Sequence, residues 1–271
     1  MDELIAQIPY FALEGAAFAG KTTLLNYLKE NFSDKLNVIP EAGEYVGGDR
    51  HFPDLPFKTL DQAKASTYFF LAIEERRCAQ ALRLYQKNGK PVLFDRCTAI
   101  SSLLFYLLLQ YKEPENSQFI QSFYRHALEV FHAAQASSAI FVPAKIIYLK
   151  PDCQKTFTDR LGRGTKNTVF SSWDSFCFLD YKYRQLLQAH YRNPNHLTLE
   201  TKNNRQNLKY IAIKAIKYME EFSLKPQRNL FASFIGEKQN FALHVDLEKE
   251  KIIYADAIKR SKNLMDKAGY C

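Results

Sequence analysis

Residues 11–28 read FALEGAAFAGKTTLLNYL. An apolar run closes on Glu14 and Gly15, four small or apolar residues follow, and Gly-Lys-Thr then opens a helical pattern. A loop that wraps a polyphosphate must turn its backbone N–H groups inward, and glycine supplies both the dihedrals and the close approach. Gly15 and Gly20 fall where that demand lies, with Ala16, Ala17, Phe18 and Ala19 at the permissive positions between them. Lys21 then reaches the outer phosphates, the Thr22 hydroxyl is placed for a magnesium ion, and the following helix aims its positive end at the anion. The bland alternative is an ordinary glycine turn between a strand and a helix.

Composition sets the frame. The chain has 271 residues, 46% of them apolar and 24% charged, as in a soluble globular protein large enough for one α/β domain with an appendage. The longest apolar run, AISSLLFYLLL at 99–109, is eleven residues with two serines and reads as a buried helix, so no membrane partner is expected. The start MDEL lacks the order of a secretory signal, and Cys78, Cys97, Cys153, Cys177 and Cys271 are scattered, so a reducing cytoplasm is expected. The net charge is +8, and residues 200–271 hold 14 Lys and Arg against nine Asp and Glu. Interspersed acids favour a triphosphate over a nucleic acid as the anionic partner.

Short apolar runs alternate with helical patterns, the order of a parallel sheet covered on both faces. Strands are expected at 10–13, 36–39, 91–94, 145–149 and 196–199, and helices at 60–87, 98–110, 117–136, from 152, and at 205–222. Between the second strand and the 60–87 helix lies EAGEYVGGDRHFPDLPF, seventeen residues at 41–57, a length that marks functional loops. The expected division is 1–224 as the main domain with a lid near 160–170, and 225–271 as an extension formed by a hairpin and a helix.

Three further places could carry chemistry. PVLFDR ends the third strand on Asp95, a carboxylate at the sheet edge able to hold a magnesium-bound water, with Arg96 facing the crevice. NVIPEAGEY brings Glu41 to the same edge, where it could accept a proton from an attacking hydroxyl, orient the substrate or help hold the ion through water; Glu44 is the fallback. KPDCQKTFTDRLGRGTKN carries Arg160 and then Arg163 between Gly162 and Gly164, a loop able to close over phosphates and neutralise developing charge. His126 and His132 lack a third ligand partner. Trp173, Phe176, Phe178 and Tyr181 read as packing. Tyr68, Phe69, Phe70 and Arg76 could meet a planar base.

Together FALEGAAFAGKTTLL, VIPEAGEY, VLFDRCTAISSLLFY and KIIYLKPDCQKTFTDRLGRG resemble the thymidylate kinase and deoxynucleoside kinase group of P-loop phosphotransferases, over about residues 8–222. The resemblance implies a three-layer P-loop kinase fold with a five-stranded parallel sheet, ATP with Mg2+ as donor, and a nucleoside or nucleoside monophosphate as acceptor. It implies that Gly15, Gly20, Lys21, Thr22 and Thr23 bind ATP phosphates and magnesium, that Glu41, Asp95 and Arg96 act at the strand ends, and that Arg160 and Arg163 are lid arginines. Two departures stand out: Phe18 replaces the usual glycine or arginine, and Cys97 stands where a tyrosine follows the Asp-Arg pair. Glu41 favours a hydroxyl acceptor, Arg96 and Arg50 a phosphorylated one, so the acceptor stays open, as does pairing into a homodimer. The rival class is a nucleotide-controlled ATPase acting on a partner through the basic tail, with a polynucleotide end kinase as a second alternative.

Overall fold

The computed structural model describes residues 9–55, 57–161, 172–190, 195–221 and 247–270. These fall into two compact units. The first holds the sheet: β1 (Tyr10–Glu14), β2 (Asn37–Ile39), β3 (Val92–Asp95), β4 (Lys145–Pro151) and β5 (His196–Thr201), all parallel, in the order β2-β3-β1-β4-β5. The chain winds to one side of β1 and then crosses to the other, so β1 is where the order reverses, the place where open sheets bind ligands at their carboxyl ends. As the central strand β1 is buried at all five positions, which is why its sequence is a continuous apolar run and not an alternating one.

One face of the sheet is covered by α1 (Lys21–Asn31) and α8 (Arg205–Glu220). Leu24, Leu25 and Leu28 form a single stripe on α1, and Ile211, Ala212, Ala215, Ile216 and Met219 do the same on α8, closing over Phe11, Leu13, Ile147 and Leu149. Asn204 caps α8, its side chain accepting from the Asn207 N–H at 2.7 Å. Two further helices belong to this unit, α6 (Gln154–Leu161) and α7 (Trp173–His190).

The second unit is helical. It contains a short α2 (Ala42–Tyr45), most of the long α3 (Leu60–Asn88), α4 (Thr98–Lys112), α5 (Ser117–Ala136) and α9 (Leu247–Lys267). α4 and α5 form a helical hairpin, joined through the 3-10 turn Pro114–Asn116, with Phe123 of α5 meeting Tyr106 of α4 at 6.2 Å between ring centroids. α9 is held to α3 by its Glu250, which accepts from Lys64 and from the Tyr68 hydroxyl. Burial pushes His126 of α5 down to about 4, with Glu250 opposing and Lys64 reinforcing the shift. The imidazole lies edge-on to Tyr68 and 3.6 Å from Glu250. Among the described residues no three His, Cys, Asp or Glu side chains gather as metal ligands.

The expected strands and helices are present, with bounds moved by a residue or two at most ends. The 41–57 segment is more ordered than its composition suggests, because Glu41 starts α2 and a 3-10 turn follows at Asp49–His51. Gly43 makes this compact: a Cβ there would stand 2.1 Å from the Asp49 carboxylate. The hairpin expected around FALHVDLEKEKIIYADAI is not there where the chain is described: 247–258 are helical, the start of α9, because their apolar residues recur at helical spacing, and 241–246 lie outside the described residues, as do the lid loop with Gly162, Arg163 and Gly164, and Cys271.

Candidate functional site

β1 delivers its loop at the carboxyl edge of the sheet, and Leu13 is paired with Asp95 of β3, so Asp95 and the loop share that edge. Gly15 passes so close to β4 that a Cβ would stand 2.3 Å from the Leu149 carbonyl oxygen; no other residue fits there. Gly20 takes φ +91° and begins α1, whose first turn carries no acidic residue. Lys21 is buried with its ammonium inside the loop, donating to the carbonyls of Gly15 and Ala16 at 2.9 Å each. Thr22 and Thr23 are exposed at the start of α1, and Ala16 and Ala19 are buried beneath the loop. The result is a ring of backbone around one cation at a helix amino end, a cradle of the shape and charge that polyphosphate oxygens require.

Phe18 adopts φ +63°, a left-handed conformation that costs a bulky residue roughly 1 kcal/mol. Its ring meets Phe157 edge to face at 5.7 Å, and Phe157 in turn packs on Trp173 and Phe176, which stack on each other at 4.7 Å. Trp173 and Phe176 are therefore packing, and Phe18 joins them, whereas Tyr181 is 56% exposed with Lys182 over its ring. This predicts an order of stabilities. Phe18→Ala loses the ring and keeps the strain, whereas Phe18→Gly loses the ring and relieves the strain, so in thermal denaturation the glycine variant is expected to exceed the alanine variant by about 0.5–1 kcal/mol.

Arg160 comes to the loop from α6. It donates to the Phe18 carbonyl at 3.0 Å, to the Thr201 hydroxyl at 2.8 Å and to Asn203 at 2.8 Å. Thr201, at the end of β5, also lies 2.9 Å from the Ala19 carbonyl. Arg160 thus braces the loop after β1 against β5. Thr201 and Asn203 have no sequence signal beyond their place after a strand.

Glu14, which in sequence is marked only by its place before the first glycine, is the most heavily engaged carboxylate here. It is fully buried; one oxygen accepts from the Cys97 N–H at 2.7 Å and the other from the Tyr183 hydroxyl at 2.9 Å. The first bond fixes the turn after Asp95, where Arg96 is held at φ +63° and its N–H donates to the Leu13 carbonyl at 3.2 Å. Burial raises the Glu14 carboxyl to about 7, against the Cys97 N–H, Arg96, Tyr183 and Lys21, all of which lower it. Between pH 4.5 and 7 the folded protein keeps a proton that the unfolded chain releases. This contribution is therefore complete below pH 4.5 and is lost as pH rises through 7, on the order of 3 kcal/mol. Urea midpoints across that range are expected to show the decline in wild type and to lack it in Glu14→Gln.

Glu41 belongs to the second unit, two residues beyond β2, where its carbonyl accepts from Glu44 N–H at 3.0 Å. The residue before it is anchored by Arg77, which is fully buried and donates to the Pro40 carbonyl at 3.1 Å, to Glu74 at 2.5 Å and to the Thr98 hydroxyl at 2.6 Å. Glu44 is exposed, and Arg50 and His51 sit in the 3-10 turn that follows. Arg76 does not face an open groove: it donates to the Tyr270 carbonyl near the end of the chain.

Five parallel strands in this order, with a glycine-lysine-threonine loop after the first, define a P-loop kinase fold. In structure the chain is similar to a deoxyadenosine kinase from M. mycoides, solved with the products dCMP and a flexible dCDP bound: the TM-score is 0.51 and the identity 17%, over 77% of this chain and 99% of that one. No protein-family profile and no curated protein matches the chain by sequence. Among the described residues no helix is long and apolar enough to cross a membrane.

Proposed function

We propose that this chain is an ATP-dependent kinase that moves the terminal phosphoryl group of ATP to a nucleoside or nucleoside monophosphate. The observation that carries this is the loop itself, with Gly15 forced against β4, Gly20 left-handed and the Lys21 ammonium held inside, on the same sheet edge as Asp95. In this reading residues 15–20 and Thr23 bind the phosphates through backbone N–H groups, and Lys21 neutralises charge on the transferred group. Glu41 takes the proton from the attacking hydroxyl, and Arg96, pinned in its turn through Glu14, faces the reacting groups. Arg160 keeps the loop in shape, and Arg163, in the lid near 160–170 that the resemblance implies, is the second arginine proposed for the phosphates.

The donor set also fits Mg2+. The exposed Thr22 hydroxyl and the Asp95 carboxylate, acting through water, are the oxygen donors such an ion takes alongside phosphate. When bound, the ion would offset phosphate charge. The four described cysteines are free thiols, which suits a reducing cytoplasm. The segment 225–271 is then an appendage of a kinase domain formed by 1–224.

Release of ADP from ATP and magnesium, screened over nucleosides, their monophosphates and related vitamins, tests the reading. Turnover that depends on one chemical class supports it; a flat response across all of them, with ATP still hydrolysed when a protein or nucleic acid is added, sinks it in favour of the regulatory ATPase.

A further inference from the structure

The second unit contains a cavity of about 550 Å³ walled by three stretches of its own chain: the segment ending at Phe57 and Lys58, the first turns of α3, and the middle of α9. Its volume lies in the range of small-molecule sites. A reciprocal cap fixes the first wall to α3: Thr59 Oγ1 accepts from the Gln62 N–H at 3.2 Å, and Gln62 Oε1 accepts from the Lys58 N–H at 2.7 Å. Phe57 is held edge-on to Phe123 at 5.8 Å. Of the aromatic residues Tyr68, Phe69 and Phe70, it is the buried Phe69 that lines the cavity; Tyr68 turns to Glu250 and Tyr254, and Phe70 to Phe52.

Two cations reach this space, Lys58 from one wall and Arg260 from α9. The Arg260 guanidinium lies 5.5 Å from the Phe69 ring centroid and donates to the His51 carbonyl at 3.2 Å, contacts that hold it in place. A guanidinium carries donors beyond the one a carbonyl takes, so Arg260 can bind an anion without leaving its position. Among the described residues neither cation is paired with a carboxylate, and Asp54 is the one acid in the described lining. The walls also carry polar groups. Gln62 uses its amide oxygen on the Lys58 N–H and keeps its NH2 as a donor, and the buried Ser66 hydroxyl is bonded to Tyr106.

We infer that this cavity binds a small planar aromatic anion. Its ring lies against Phe57 and Phe69, its carboxylate or phosphate oxygens take Lys58 and the forked donors of Arg260, and an acceptor on the ring edge takes the Gln62 amide. An anionic acyl chain would match the cations equally well, but it would set the Gln62 amide and the Ser66 hydroxyl against hydrocarbon. A neutral ring would cover the two cations without offering them a charge. None of the described lining residues carries a role in phosphoryl transfer above, and the inference holds whether or not the chain is a kinase.

Calorimetric titration of the full chain tests this with four probes: quinoline-4-carboxylate, its neutral carboxamide, octanoate, and AMP as the phosphate-bearing arm. Quinoline-4-carboxylate, AMP or both are expected to bind, and which of them does so tells an aromatic carboxylic acid from a phosphate ester. The carboxamide and octanoate are expected to bind about tenfold more weakly than the carboxylate, the scale of one charge-assisted contact. Lys58→Gln and Arg260→Gln are each expected to weaken the bound anion about tenfold as well. The Lys58 ammonium supports no described contact of the fold, so that variant reads binding alone even if Arg260→Gln is unstable. The inference is overturned if neither anion binds at millimolar concentration, or if the carboxamide or octanoate binds as tightly as the carboxylate. Binding of either anion that is indifferent to Lys58→Gln and Arg260→Gln places it elsewhere on the protein and overturns the inference too.

Discussion

Lys21→Met is expected to lower phosphoryl transfer by about 10²–10³ while the protein remains folded. The size follows from removing one preorganised donor aimed at developing charge, about 3–4 kcal/mol of transition-state stabilisation. Methionine keeps the aliphatic stem that the buried side chain packs against its surroundings. What it loses in the folded state is two hydrogen bonds to the Gly15 and Ala16 carbonyls, in total about 1–2 kcal/mol. The measurement is turnover under saturating ATP together with the thermal midpoint. Wild-type turnover in the variant would remove the loop from the mechanism.

Arg77→Met is expected to have the largest effect on stability, about 3–5 kcal/mol. The guanidinium is fully buried with Glu74 at 2.5 Å, and taking away one member of such a pair leaves its partner's charge without the cation facing it. In a chain of this length that corresponds to roughly a 10 °C fall in midpoint. Adding Glu74→Leu removes the stranded charge and is expected to recover most of the loss, which a merely steric role for Arg77 would not allow. Arg77 also holds the carbonyl of Pro40, the residue before Glu41, so the single variant is expected to raise the KM for the acceptor as well.

Much of the fold could be read from local pattern. β1, β3 and β4 announce themselves because both of their faces are covered, and α1 and α8 because their apolar residues fall on one stripe. The glycine-lysine-threonine loop could be read because its requirements are also local. The supports of the site could not. Glu14 and Tyr183 meet across 169 positions and Arg76 and Tyr270 across 194, and no periodicity relates such pairs. Glu74 and Arg77 are only three apart in the middle of α3, yet on a long helix they look like any solvated pair. Phe18 was legible as an oddity, and only the ring of Phe157 explains where it goes.

The buried carboxyl beneath the glycine-lysine-threonine loop, raised to about 7, would link any anion bound above it to a proton. A polyphosphate entering above Glu14 brings negative charge towards it and favours its protonated form further, so binding near pH 7 draws a fraction of a proton from the medium. Under the kinase reading proposed above, the heat of nucleotide binding would then include the ionisation heat of whatever buffer supplies that proton.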